Sequence, residues 1–398
     1  MATTIPGSTP APGAAAPRPI PPFDESHERL REEIRGFVSE RLRPHAAEWE
    51  RAHSFPDEVF AWLAERGYLG LKYPREYGGL DLGYVADAVF TEELAWCGSG
   101  GLAAGIGAHI GIATPPIWKF GTEDQKQRYL AAAIRGERIG CLGITEPDAG
   151  SDVAGLRTRA TRVEGGWLVN GSKMFITNGV RAHFMVTAVK TTPEGGHHGL
   201  SFLIVDRGEG VQASPIEKLG WHASDTGLIT LEDVFVPEEN LLGEENRGFY
   251  LIMANFQWER LLMALGSVGA MSAAFDRVWR LVSGRARRPG APRASQSVRH
   301  RLAELATRVE AGRDLTYHAL RLFVEGQDPV REVTMAKLAT QRASFDFMDE
   351  CLQIAGLDGY AGPLAEDLGR AARDARLGPI GGGTDEIMRE ILGRSIGL

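Results

Sequence analysis

The chain changes its hydrophobic period twice, and each change marks a different kind of secondary structure. In the first third of the chain the apolar positions recur at helical spacing, as at Leu30, Ile34 and Val38. Residues 122–125 (TEDQ) have the sequence of a capping box, which opens a helix. This pattern predicts an all-α N-terminal domain over residues 23–138.

Between residues 139 and 243 the apolar period falls to two, which is typical of half-buried strands. Short runs rich in β-branched and aromatic residues are separated by glycine-containing turns. The runs cover residues 157–163, 167–169, 184–189, 201–205 and 228–236. Their spacing predicts a middle domain that is an antiparallel β-barrel or β-sandwich.

After residue 246 the helical period returns in long amphipathic segments joined by short loops. One segment starts near Phe249, a second near Gln296, and a third at Asp328, where Pro329 would take the first helical position. Such segments predict a C-terminal four-helix bundle. We therefore expect an α+β multidomain protein, divided into a flexible tail at residues 1–22, a helical domain at 23–138, a β domain at 139–243 and a helical bundle at 244–398.

Composition narrows the classes of function. The net charge is −8, which argues against a nucleic-acid partner. Cys97, Cys141 and Cys351 share no CxxC spacing, and residues 1–22 lack the apolar core of a signal peptide, so we expect a cytoplasmic protein and no metal site. The uncharged stretch 94–118 holds six glycines and a Pro-Pro break, which favours buried helices over a membrane span.

The most informative motif follows an apolar run at residues 139–144. Residues 143–155 (GITEPDAGSDVAG) combine hydroxyls, carboxylates and glycines at the exit of a strand. Such a turn aligns backbone N–H groups and the hydroxyls of Thr145 and Ser151 into a cradle for a polar ring or a phosphate. An ordinary Gly/Pro/Asp-rich loop is the alternative interpretation.

A second motif decides between these interpretations. Residues 171–179 (GSKMFITNG) form another short apolar strand that ends in a threonine beside a glycine turn. The pair of motifs closely resembles the acyl-CoA dehydrogenases, whose flavin lies against two such strands, and the resemblance runs from about Phe23 to the C-terminus. It implies FAD as the cofactor. It also implies that the flavin is held by Leu142, Ile144, Thr145, Gly150, Ser151, Phe175, Ile176 and Thr177.

The resemblance further implies that each flavin touches a neighbouring subunit, so we expect a homotetramer, or at least a dimer. The residues that would reach the flavin's adenosine end and its far end are Arg285, Gln296, Gln353, Gly356, Thr384 and Glu386. The sequence departs from the family twice here. The usual Gly-Gly pair is Gly356-Leu357, and the Arg-x-x-Phe-Gly element is reduced to residues 284–290 (GRARRPG), where Arg287 and Arg288 compete with Arg285.

Dehydrogenation of an acyl thioester needs a carboxylate base in a dry pocket, where desolvation raises its pKa. Most members of the family place this glutamate in the C-terminal loop, but the matching residue is Gly382. In the isovaleryl-CoA and long-chain types the base lies on the first bundle helix, and Glu259 matches that position. A surface glutamate paired with arginine is the alternative for Glu259. The acyl-CoA contacts implied by the resemblance are Ser151, Gln257, Arg260, Gly382 and Gly383.

The predicted reaction removes the α-proton with Glu259 and passes the β-hydride to flavin N5, with an electron-transferring flavoprotein as the acceptor. The run of glycines at 381–383 suggests that an acyl chain bulkier than butyryl is accepted. Two other functions remain open. The chain could be a flavin oxidase or monooxygenase on the same fold, or an acyl-CoA-binding subunit that needs a partner chain to complete its flavin site.

Overall fold

The structure is a computed structural model that describes residues 19–192, 195–286 and 294–398. Residues 1–18, which hold most of the predicted tail, lie outside the described residues, as do Arg287 and Arg288. In the described part the chain runs from helices to a sheet and back to helices, so the predicted fold class is confirmed. The three cysteines are buried free thiols.

The N-terminal part is helical from Glu25 onward. Its α-helices are α1 (Glu25–Phe37), α2 (Ala46–Ala52), α3 (Glu58–Glu65), α4 (Gly83–Leu94), α5 (Gly100–Gly107), α6 (Thr114–Phe120), α7 (Glu123–Gln125) and α8 (Ala132–Ile134). The capping box at Thr122 is confirmed, since its hydroxyl accepts from Gln125 N and the Gln125 side chain accepts from Thr122 N. The uncharged stretch 94–118 consists of short, mostly buried helical segments.

A wider, π-helical turn at Ala108–Ala113 links α5 to α6 and positions the first strand. His109 lies in this turn, where its Nδ1 accepts from Gly140 N at 3.0 Å and its Nε2 lies 3.1 Å from the Ala133 carbonyl oxygen. Burial lowers the pKa of His109 to about 4, so the ring is neutral and Nε2 carries the proton. His109 thereby fixes the start of the strand that leads into the first motif.

The middle part is one sheet of eight strands in the described residues. They are β1 (Gly140–Gly143), β2 (Arg159–Val163), β3 (Gly166–Ile176), β4 (Phe184–Lys190), β5 (Leu200–Asp206), β6 (Val211–Pro215), β7 (Gly227–Pro237) and β8 (Leu241–Leu242). The order is β6-β7-β3-β2-β4-β5-β8, with β1 paired to β4 in parallel and most other pairs antiparallel. The sheet is not closed, and side chains from β3, β7, β4 and β5 share one core.

The C-terminal part is built on three long helices. Its helices are α9 (Gly248–Ala286), α10 (Gln296–Val324), α11 (Val330–Ala355), α12 (Leu357–Tyr360), α13 (Ala365–Ala375) and α14 (Asp385–Ser395). Helices α9, α10, α11 and α13 pack as the predicted bundle, and α14 packs on α11. The predicted N-cap at Asp328 and first helical position at Pro329 are each one residue early, because α11 begins at Val330 with Pro329 as its N-cap. The Asp328 side chain still accepts a hydrogen bond from Val330 N.

Helix α9 is also the link between the domains, because it packs on α4 as well as on its bundle partners. It is the one helix in the described part of the chain that is long and apolar enough to cross a membrane. However, 72% of its most apolar window is buried inside the protein. The apolar character of α9 is therefore that of a bundle core helix.

Candidate active site

The structure brings the two glycine-rich motifs together. The carbonyl oxygen of Thr145, just after β1, accepts a hydrogen bond from Met174 N on β3 at 2.8 Å. Beyond Thr145 the chain folds into a tight turn, in which Glu146 and Ala149 exchange backbone hydrogen bonds. No described atom lies within 4 Å of the position that a Cβ would take at Gly150. The turn is thus open on the side where Gly150 and Ser151 are exposed.

A buried ion pair that the sequence analysis missed holds these strand ends in place. Lys173 is fully buried, and its Nζ donates to Glu146 Oε1 at 2.8 Å and to the Ile144 carbonyl at 3.1 Å. Glu146 also accepts from the backbone N–H groups of Arg157 and Thr158. Burial lowers the pKa of Lys173 to about 8, while the Lys173 charge and these hydrogen bonds outweigh burial and lower the pKa of Glu146.

The end of β3 carries backbone strain at an aromatic residue. The register with β7 shifts between Lys173 and Ile176, and Phe175 in this bulge has φ +61°. A left-handed conformation is unfavourable for a bulky side chain, and such residues cluster at ligand sites. Phe175 is 59% exposed, whereas Ile176 is buried in the core of the sheet. Thr177 follows and is partly exposed.

Beside the cradle, Leu142 and Ile144 pack into the core between the sheet and the helices. Asn178, next to Thr177, is buried with φ +63°, and its Nδ2 donates to the Gly105 carbonyl at 2.7 Å. This hydrogen bond ties the end of β3 to α5. Both strand ends are therefore anchored from behind by buried polar contacts, while their outer edge is open.

Glu259 lies on α9, in a stretch with an unusual number of polar atoms that lack a partner. Within the described residues, buried atoms without a hydrogen-bond partner include Gln257 Oε1, Trp258 Nε1, Glu259 Oε2 and Arg260 Nε. Unpaired buried polar groups are costly, and successive residues of a helix point in different directions, so the buried Glu259 carboxylate by itself marks a candidate binding site. Burial raises the pKa of Glu259 to about 7, against the lowering effect of the Arg260 and Lys337 charges.

A glycine loop lies beside this part of α9. Gly382 and Gly383 have φ values of +61° and +92°, which only glycine adopts without strain. Lys337 on α11 is buried, and its Nζ donates to the carbonyl oxygens of Gly378 at 2.9 Å and Gly383 at 2.6 Å. Thr384 caps α14 through its hydroxyl, and Glu386 is exposed on the first turn of that helix. The Lys337 hydrogen bonds therefore fix the loop, and a Cβ at Gly383 would lie 3.9 Å from Arg260 Nη2.

The absence of a side chain at Gly382 does not leave an empty space in the structure, and the acceptance of an acyl chain bulkier than butyryl stays a prediction. A Cβ at Gly382 would overlap the sulfur of Met263, which lies one helical turn after Glu259. The space that a loop side chain would occupy is therefore filled from α9. The sequence alone could not place these two segments against each other.

The remaining predicted cofactor residues lie at the other end of the bundle. Arg285 bonds to the Asp358 carboxylate and to the Ala355 carbonyl oxygen. Gln296, Gln353 and Gly356 are exposed. Arg285 is 26 residues beyond Glu259 on one continuous helix, which corresponds to about 39 Å. Within one chain Arg285 therefore lies at the opposite end of α9 from Glu259.

Comparisons with known proteins agree with this arrangement. The family models for the N-terminal, middle and C-terminal domains of acyl-CoA dehydrogenase match residues 24–137, 141–234 and 246–397. The chain is 35% identical to the mitochondrial isovaleryl-CoA dehydrogenase of Solanum tuberosum, over 94% of this chain and 91% of that protein. It is also 35% identical to the mitochondrial long-chain specific acyl-CoA dehydrogenase of Mus musculus, over 94% and 87% of the two chains. The crystal structure of an acyl-CoA dehydrogenase from Geobacillus kaustophilus superimposes with a TM-score of 0.90 at 36% identity, over 95% and 100% of the chains.

Proposed function

The chain belongs to the acyl-CoA dehydrogenase family and is an acyl-CoA dehydrogenase, and on that premise we propose that Glu259 is the base. The proposed reaction converts a fatty or branched acyl-CoA to the 2-enoyl-CoA. The observation that carries the proposal is the Glu259 carboxylate, whose buried Oε2 has no partner among the described residues and whose pKa is raised to about 7.

Glu259 has the properties that α-proton removal demands. Burial makes the carboxylate a stronger base than it is in water, and a pKa near 7 leaves about half of it ionised at neutral pH. The Arg260 and Lys337 charges limit the rise, so that the proton is not held permanently. The proposed step is a transfer of the substrate α-proton to Oε2. Arg260 and Gln257, each with an unpaired buried atom, would contact the acyl-CoA.

We assign FAD to the cradle between the ends of β1 and β3. The residues fit a flat polar ring, because the turn at Gly150 is open and the Phe175 ring is exposed beside it in a strained conformation. The hydroxyls of Thr145, Ser151 and Thr177 would donate to the ring and its phosphates, with Leu142 and Ile144 beneath. When bound, FAD supplies the acceptor for the β-hydride.

The proposal extends to assembly and to the electron acceptor. The far end of the bundle from Glu259 carries Arg285, Gln296, Gln353 and Gly356, and this placement supports a homotetramer in which they cover a neighbour's flavin. Leu357 and Tyr360, which are 76% and 87% exposed at the same end, fit such an interface. Thr384 and Glu386 would hold the flavin's far end.

We infer an electron-transferring flavoprotein as the acceptor of the electrons from the reduced flavin. A cytoplasmic location remains a prediction.

The test is the spectrum and product of the purified chain. We expect a yellow protein that releases FAD on denaturation and forms 2-enoyl-CoA with an artificial electron acceptor. Turnover at the same rate with oxygen alone would instead favour an oxidase or monooxygenase. A colourless protein that binds acyl-CoA and gains flavin only with a partner chain would favour the incomplete-subunit function.

A further inference from the structure

The side chain of Met263 occupies the space between the turn of α9 that carries Glu259 and the glycine loop. Glu259 and Met263 are four residues apart on α9, so both lie on the same face of the helix. A Cβ at Gly382 would overlap Met263 Sδ, and one at Gly381 would lie 3.8 Å from Met263 Cε. Met263 is therefore in contact with the loop and on the side of the base.

Neither backbone on the two sides of this contact is free to move away. The Met263 carbonyl oxygen accepts from Gln341 Nε2 at 2.6 Å, which ties this part of α9 to α11. On the other side, Lys337 fixes the loop through the carbonyl oxygens of Gly378 and Gly383. Met388 on α14 limits the loop from behind, since a Cβ at Gly383 would lie 2.6 Å from its Cε. The volume between α9 and the loop is thus set by the Met263 side chain.

We propose that Met263 is a specificity-determining residue that limits the bulk of the acyl group beside Glu259. This inference rests on the proposed function, because it assumes that the acyl α-carbon lies at the Glu259 carboxylate. Methionine is unbranched and flexible, so it fills an irregular gap closely. Shortening it to alanine removes three heavy atoms from a wall whose two backbones are fixed, which leaves a cavity next to the reacting carbons.

The experiment compares branched and straight-chain substrates in matched variants. The kcat/KM values for 2-methylbutanoyl-CoA and 3-methylbutanoyl-CoA, each relative to butanoyl-CoA, are measured for wild type, Met263→Ala and Met263→Leu. One extra or missing methylene in an apolar pocket discriminates between substrates by about 10–200-fold. We expect at least one branched-to-straight ratio to rise about tenfold or more in Met263→Ala. The Met263→Leu ratios should stay within about twofold of wild type, because leucine has nearly the same volume.

A binding measurement separates pocket size from the chemical step. In the Glu259→Gln background, the same branched thioesters should raise the melting temperature of the Met263→Ala protein more than that of the protein that retains Met263. Ratios and thermal shifts that stay at wild-type values in Met263→Ala would overturn the inference. Should Met263→Ala fail to fold, Met263→Val serves in its place with the same expected direction. A wild-type protein that oxidises no acyl-CoA would instead contradict the proposed function.

Discussion

Lys173 Nζ lies 2.8 Å from Glu146 Oε1, and both side chains are buried behind the two strand ends that form the cradle. Removing one partner of a buried ion pair leaves an uncompensated charge, which costs about 3–5 kcal/mol. We predict that Lys173→Met lowers the free energy of unfolding by about that amount and weakens flavin retention. Chemical denaturation and the flavin content after gel filtration measure the two effects.

The control for this prediction removes both charges. Lys173→Met combined with Glu146→Gln leaves no unpaired buried charge, so the double variant should be more stable than Lys173→Met alone. If the single variant is as stable and as yellow as wild type, the ion pair does not hold the cradle.

The pH dependence of flavin reduction should follow Glu259. A base acts only when it is deprotonated, and burial raises the pKa of Glu259 to about 7. The rate of reduction by acyl-CoA should therefore fall tenfold for each pH unit below about 7 and level off above it. Stopped-flow reduction between pH 5.5 and 9 measures the profile. A rate that is flat down to pH 5.5 would show that an unperturbed carboxylate, or another group, is the base.

The buried carboxylate of Glu259, once ionised, should also lower the free energy of unfolding at alkaline pH. The pKa of Glu259 is about 7 in the folded protein, against an ordinary value of 4.5. The folded state therefore binds the proton more tightly than the unfolded state does, and the free energy of unfolding falls as the pH rises from 4.5 to about 7. One unit of pKa corresponds to about 1.4 kcal/mol, which sets roughly 3 kcal/mol as the upper limit of the cost. We predict that Glu259→Gln raises the melting temperature at pH 8 and that the gain shrinks as pH falls toward 4.5. An equal gain in melting temperature at both pH values would show that a change in packing, rather than the loss of the charge, stabilises the variant.

Gly382 should tolerate no side chain. Alanine there would adopt a left-handed φ at about 1–2 kcal/mol and would overlap Met263. We predict that Gly382→Ala lowers the unfolding free energy by more than this strain alone. Adding Met263→Ala should restore the part due to overlap but not the part due to backbone strain. A double-mutant cycle by denaturation measures the coupling, and strict additivity would contradict the contact.

Much of the fold follows from local signals. The change from helical to alternating apolar positions located the sheet, and the capping residues at Thr122 located a helix start. The prediction of a separate strand from Gly171 onward is wrong, because Gly171 has φ +147° and lies inside the continuous strand β3. A glycine can extend a strand through a bulge as easily as it ends one, so the sequence does not distinguish one long strand from two short ones.

The site depended on contacts between distant segments. Residues 143–155 and 171–179 were expected to converge, and the hydrogen bond between Thr145 and Met174 joins them. The Lys173–Glu146 pair and the packing of Met263 on Gly382 were not foreseen, because residues 27 and 119 positions apart meet only once helices and strands have packed. The signal that the sequence offered for the ion pair was a charged residue, Glu146 or Lys173, beside the apolar positions of each strand.

The most direct test of the account is anaerobic titration with acyl-CoA of wild type and Glu259→Gln, with Glu304→Gln as a matched control on the exposed surface of α10. General bases contribute about 10²–10⁴-fold to a rate. We predict that the flavin absorbance of wild type and Glu304→Gln bleaches, and that Glu259→Gln retains flavin but bleaches slower by about that factor. Bleaching of Glu259→Gln at the wild-type rate would contradict the assignment of Glu259 as the base.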